Sequence, residues 1–94
     1  MIIQSPKDAS VKQGGTAVFH CKARGHPAPR IAWAGGLNGD QPISNEDRFG
    51  YLPSGALVVH DLNVTDEGLY RCVASNLAGS DSAQAALQVN GELN

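Results

Sequence analysis

The 94-residue chain is poor in cysteine and aromatics and has no concentrated charge, and each scarcity removes a class of protein. Seven Lys and Arg against nine Asp and Glu leave a net charge of −2, with both signs interspersed. No basic cluster is present to displace counterions from phosphates, which excludes a nucleic-acid partner and a polybasic membrane surface. No apolar run approaches the roughly 20 residues of a membrane span, so this segment inserts directly into no bilayer. The N-terminus, MIIQSPK, lacks the charged-then-apolar build of a secretion leader. No glycine-rich phosphate loop opens a helix, and Ser54-Gly55 reads as a hairpin rather than a strained nucleophile turn. With no nucleophile or metal set beside a base, the chain is expected to be neither an enzyme nor a cofactor binder.

What is present is a β pattern. Leu62 to Cys72 reads LNVTDEGLYRC, and within it Asp66, Gly68, Tyr70 and Cys72 fall at every second position. That spacing sends successive side chains to one face of a strand, so a turn hands over directly to a buried strand. Tyr70 and Cys72 enter one core together, and the phenol turns its hydroxyl back to the backbone of the turn. Cys72 needs a partner, and Cys21 is the only other cysteine. The pair alone does not fix the compartment, because the same two residues can sit reduced in a cytosolic protein. Trp33, the only tryptophan, lies between them.

The same alternation predicts further strands. Ile2 to Gln4 reads as an edge strand broken near Pro6, where the chain switches sheets, and Ala9 to Lys12 resumes it. Thr16 to Ala23 reads as one strand with Ala17, Phe19, Cys21 and Ala23 facing the core and Val18 and His20 outward. Gly25-His26-Pro27-Ala28-Pro29 is a stiff connection in which either proline can be cis, after which Ile31 and Trp33 point inward. The glycines of Ala34-Gly35-Gly36 are expected to weaken any strand there, with Asn38-Gly39 forming a tight turn. Arg48 to Leu52 and Ala56 to Leu62 are the next strands, anchored by Leu57, Val59 and Leu62. Gly68 to Ser75, a hairpin over Asn76 to Gly79, and Asp81 to Val89 with Ala83, Ala85, Leu87 and Val89 inward complete the set.

Four segments in this order, GHPAPRIAW (25–33), LPSGALVVHDL (52–62), DEGLYRC (66–72) and ASNLAG (74–79), resemble an immunoglobulin domain of the intermediate, or I-set, type. The resemblance implies an all-β, two-sheet Greek-key sandwich with one inter-sheet disulfide, Cys21 to Cys72, packed on Trp33. Residues 1–94 are then a single domain, read as a segment cut from a longer protein, with Met1 added to start translation and residues 90–94 beginning a linker. Phe19, Trp33, Leu57, Leu62, Tyr70 and Leu87 are the expected core. In similar domains an arginine opening one strand pairs with the aspartate of the later turn, and Arg48 and Asp66 match those positions. Asn63-Val64-Thr65 is an N-glycosylation acceptor in that turn, so Asn63 is a candidate modification site.

Function is then expected on the outward faces. One sheet offers Val18 and Val58 beside His20 and His60, on strands the family places side by side. Two imidazoles make only half a zinc site, and the pair reads as surface histidines. The other sheet offers a larger, flatter face of small side chains and two guanidiniums, with Arg30, Ala32, Arg71, Val73, Gln84 and Ala86 as candidate protein-binding residues. LPSGALVV resembles the corresponding strands of neuronal receptors of the neogenin class and of peroxidasin-like or leucine-rich-repeat adhesion proteins. The implied role is a binding and spacer module in an extracellular, membrane-anchored or secreted protein. Its partners would be a protein ligand, neighbouring immunoglobulin or fibronectin-type domains, or a second copy in weak homophilic pairing. The alternative is a load-bearing domain of a giant intracellular muscle protein.

Overall fold

Alternating burial along each strand divides the chain into two faces that must meet. The computed structural model describes residues 1–36, 42–43 and 48–91, so the Asn38-Gly39 turn lies outside the described residues. The strands are β1 (Ile2–Gln4), β2 (Ala9–Lys12), β3 (Ala17–Phe19), β4 (Lys22–Ala23), β5 (Arg30–Gly36), β6 (Phe49–Tyr51), β7 (Leu57–Val59), β8 (Gly68–Asn76) and β9 (Gly79–Asn90). One sheet has the order β2-β9-β8-β5 and the other β3-β7-β6, with β1-β4 as a separate pair. A 3₁₀ turn at Val64–Asp66 joins the two layers between β7 and β8.

The chain changes sheets at Pro6, which is buried. Before it, β1 runs antiparallel to β4, and after it β2 runs parallel to the end of β9, from Ala9 opposite Leu87 to Lys12 opposite Asn90. The stretch expected as one strand from Thr16 to Ala23 is interrupted at His20-Cys21. It changes partner there, from β7 to β1, and one straight ladder cannot serve both.

The inward faces interdigitate. Phe19, Cys21, Leu57, Val59 and Leu62 from one side meet Trp33, Tyr70, Cys72, Ala85, Leu87 and Val89 from the other, each no more than 4% exposed. Burying a side chain of this size stabilises by about 1.5–3 kcal/mol, so this cluster supplies most of the driving force. The Phe19 ring stacks on Tyr70 at 5.5 Å and tilts against Trp33 at 6.2 Å. Cys21 and Cys72 are joined as a disulfide across the sheets, with their Cα atoms 6.5 Å apart. The indole is oriented by its Nε1–H, which donates to the Gly55 carbonyl at 2.8 Å.

Two expectations for the β3-β7-β6 sheet are corrected. Val58 was placed outward as part of an apolar spot, but it lies in the middle strand between Val18 and Gly50 and is only 8% exposed. Covered from both sides, it leaves Val18, 43% exposed, alone. Nor do His20 and His60 approach each other. The antiparallel register pairs Ala17 with Val59 and Phe19 with Leu57, so His20 continues opposite Ala56 and His60 opposite Thr16, at opposite ends of the ladder. Among the described residues no three of His, Cys, Asp and Glu gather around a common point.

Gly35 departs from expectation in the other direction. Strand β5 does not dissolve at its glycines but stays paired with β8 through Gly35 opposite Tyr70 and Gly36 opposite Leu69. Gly35 has φ of +140°, and a Cβ there would sit 2.8 Å from the Tyr70 Cα and overlap the Leu69 carbonyl oxygen. The backbone of β8 runs where a side chain would be, so only glycine lets the two strands close.

One edge is treated differently from the rest. Strand β2 covers only the last residues of β9, and among the described residues no strand forms a ladder on the Gly79–Ala86 side of β9. There the Asp8 carboxylate accepts the Ala86 N–H at 2.8 Å, and Asp81 accepts its neighbour's N–H, that of Ser82, at 2.9 Å. The other oxygen of Asp81 accepts the Ile2 N–H at 3.0 Å. That bond, with the Ser82 bond, holds the Asp81 carboxyl below its ordinary value.

Candidate protein-binding face

The outward face of the larger sheet is built by register. Even-numbered residues of β5 stand opposite odd-numbered residues of β8, which in turn stand opposite even-numbered residues of β9. This gives the rows Ala32–Val73–Ser82, Ala34–Arg71–Gln84 and Gly36–Leu69–Ala86. Five of the six candidate residues therefore share adjoining rows. Arg30 stands one row further along, opposite Ser75. Arg30, Ala32 and Gln84 are exposed, while Arg71, Val73 and Ala86 are half-buried. Leu69, 53% exposed, lies beside Ala86 and forms with Gly68 and Leu87 the floor of a shallow hollow rimmed by Glu67 and Gln88. Small side chains in adjoining rows make the face flat, the Arg71 guanidinium lies at its middle, and the exposed Arg30 at its end adds donors for a carboxylate or carbonyl.

The face is held from behind. β5 is fixed on its far side by Tyr51, whose hydroxyl accepts the Trp33 N–H at 3.1 Å and donates to the Ile43 carbonyl at 2.7 Å. Ile43 in turn donates its N–H to the Trp33 carbonyl at 3.0 Å. Sequence reasoning missed Tyr51, because a tyrosine in a short strand gives no sign of where its hydroxyl reaches. It also missed Leu77, 95% exposed in the β8–β9 turn, where an apolar residue at a turn position was the available signal.

The lower end is pinned by a polar cluster at the 3₁₀ turn. Arg48 Nη1 lies 2.7 Å from Asp66 Oδ2 and Nη2 lies 3.1 Å from Oδ1, a two-pronged pair in which Asp66 is buried and Arg48 partly exposed. Arg48 Nη1 also donates to the Asp61 carbonyl at 3.1 Å. The Asn63 N–H donates to Asp66 Oδ2 at 2.9 Å, and the Tyr70 hydroxyl donates to the Asp66 carbonyl at 2.6 Å. Burial pushes the Asp66 carboxyl up, but the Arg48 and Asn63 hydrogen bonds and the Arg48 charge outweigh it, so Asp66 titrates below its ordinary value. Burial and the Asp66 charge push Tyr70 up to about 12, so its hydroxyl remains a donor at every physiological pH.

A lowered carboxyl stabilises the folded state above the unfolded value of 3.8 and loses that contribution as pH falls through the lower folded value. Arg48→Ala is therefore expected to cost about 2–3 kcal/mol at pH 7, where it strands a buried carboxylate, and distinctly less at pH 3. Urea midpoints of both proteins at the two pH values check this, and an equal cost at both would show that the ion pair is not the source.

The comparisons with known proteins agree with this architecture. The family model of the immunoglobulin I-set domain matches residues 1–89. Human peroxidasin homolog is 36% identical over 83 residues, covering 88% of this chain and 6% of that protein. The mouse leucine-rich repeats and immunoglobulin-like domains protein 3 is 39% identical over 87 residues, covering 92% of this chain and 8% of that protein. The chain thus spans a small part of the length of the relatives it matches. Among solved structures, a chain of the titin M10–obscurin-like 1 immunoglobulin complex superposes with a TM-score of 0.90 at 28% identity, covering 100% of this chain and 96% of that one. The N-terminal Ig1-2 module of Drosophila receptor protein tyrosine phosphatase DLAR gives 0.88 at 34% identity, covering 98% of this chain and 49% of that one. With its disulfide across two sheets, its single buried tryptophan and this match over nearly its whole length, the chain belongs to the immunoglobulin I-set domain family.

Proposed function

We propose that this domain is a non-catalytic protein-binding and spacer module in the ectodomain of a cell-surface adhesion or guidance receptor or of a matrix protein. The observation that carries the reading is the flat outward face of β5, β8 and β9, where Ala32, Arg71, Val73, Gln84 and Ala86 lie in adjoining rows, with Arg30 one row further along and the half-exposed Leu69 beside Ala86. Such a surface lets a partner's backbone approach closely while arginine supplies directional contacts. The similarity to segments of adhesion and receptor proteins supports an extracellular setting, as does the disulfide, which persists in oxidising compartments. Partners of the same class, neighbouring immunoglobulin or fibronectin-type domains or a second copy, fit the same face.

A second reading has its own support. The likeness to a chain of the titin M10–obscurin-like 1 complex extends over the whole domain, which favours a load-bearing role inside muscle cells. Isolating the parent protein from tissue and digesting it without reductant separates the two. Peptides linked through Cys21 and Cys72 support the ectodomain, whereas free thiols overturn it and leave the intracellular role. On the domain itself, Ala32→Arg with Gln84→Glu is expected to abolish any pairing of copies seen by sedimentation at high micromolar concentration. Both positions are exposed, so stability should shift by no more than about 0.5 kcal/mol.

A further inference from the structure

We infer that Asn63 is the attachment point of an asparagine-linked glycan at the lower end of the sandwich, an inference that rests on the ectodomain reading. The acceptor triplet Asn63-Val64-Thr65 is a motif only, and the structure adds three observations. Asn63 and Thr65 are both exposed, on the turn between β7 and β8. Two hydrogen bonds that close the turn use main-chain atoms of Asn63, whose N–H donates to Asp66 Oδ2 at 2.9 Å and whose carbonyl accepts the Asp66 N–H at 2.8 Å. A substituent on Asn63 Nδ2 leaves both intact. Val64, between the two sequon residues, is 45% exposed and gives the first sugars an apolar surface to lie on.

The reaction is a group transfer without redox change. Nδ2 of Asn63 forms a bond to the anomeric carbon of an oligosaccharide carried on a lipid diphosphate. The carbon–oxygen bond to the diphosphate breaks, the lipid diphosphate leaves with that electron pair, and the proton lost from Nδ2 passes to a base. Threonine at the third position satisfies the acceptor requirement. The site lies at the end where β9 leaves the sandwich, since a Cβ on Gly91 would stand 3.8 Å from Val64 Cγ1. Sugar there covers the end of the domain and leaves the rows from Ala32 to Gln84 open to a protein partner.

The test expresses the full chain behind a cleavable secretion leader in mammalian cells and compares intact masses before and after peptide-N-glycosidase digestion. The expected result is a sugar mass that the enzyme removes while converting Asn63 to aspartate. It should be lost in Asn63→Gln and Thr65→Ala and kept in Thr65→Ser. Secreted, disulfide-bonded chain with bare Asn63 would overturn the inference. Should a variant fail to be secreted, translation into microsomes reads the same transfer without requiring the product to fold, and a protease-protected wild-type chain of unmodified mass there would overturn it too. The ectodomain reading fails separately. A site used under forced secretion, yet bare beside free thiols in the native parent, would leave the acceptor chemistry standing and remove the extracellular setting.

Discussion

Gly35→Ala is expected to destabilise the domain by about 3–5 kcal/mol, lowering the thermal midpoint by on the order of 20 °C. Two costs combine. A φ of +140° is one that residues with a side chain rarely adopt, and the added Cβ would meet the Leu69 carbonyl and the Tyr70 Cα, atoms of a central strand that cannot rotate away. Relief requires β5 and β8 to separate, which disturbs Trp33 and Tyr70, the two largest side chains in the core, through their own backbones. Gly79→Ala provides the control. Its φ of +147° is similar, but a Cβ there has nothing within 4 Å, so its cost is conformational only and should stay within about 1–3 kcal/mol. Thermal unfolding of the two variants side by side measures the difference. Equal losses would mean that strand approach contributes nothing and that the φ value alone accounts for the effect.

Removing the disulfide by Cys21→Ala with Cys72→Ala is expected to cost about 4 kcal/mol, the loop-closure entropy of a cross-link spanning 51 residues. Against a typical total of about 5–15 kcal/mol, that is about a quarter or more of what holds a domain folded. Denaturant titration of the variant against the oxidised parent chain reads this directly, and a loss below about 1 kcal/mol would show that packing on Trp33, not the cross-link, carries that part of the core. The result bears on function as well. A domain that works reduced inside a cell must stay folded without this bond, so a variant unfolding near body temperature weighs against the load-bearing reading.

The alternation of Phe19, Cys21, Tyr70 and Cys72 was legible because a buried strand face repeats with period two, and the order of Cys21, Trp33 and Cys72 located the sheets on either side of it. Where the sequence misled, the deciding interaction was between strands far apart in the chain. Val58 alternates as an outward residue should, but its burial depends on being in the middle strand between Val18 and Gly50, which no local pattern encodes. His20 and His60 sit on adjoining strands, yet the antiparallel direction carries them apart. Gly35 looked like a strand breaker because propensity counts only local entropy, whereas its value comes from the proximity of β8. That Ala32, Arg71, Val73, Gln84 and Ala86 share one outward face was legible, since rows across β5, β8 and β9 follow from register once the Trp33 and Cys72 pairing is known. Tyr51 escaped because its hydroxyl acts on the backbones of two other segments.

The carboxylates along β9 bear on how such domains behave in company. Relatives of this chain are many times its length, and chains that carry several sandwiches expose like edges to one another at high local concentration, where neighbouring units can join strands while folding. Asp8 and Asp81 occupy the N–H groups of Ala86 and Ser82 that an intruding strand would have to use. They also bring negative charge to the place where its carbonyls would arrive. In this domain the two aspartates thus close the edge to a foreign strand, keeping its last long strand for its own sheet.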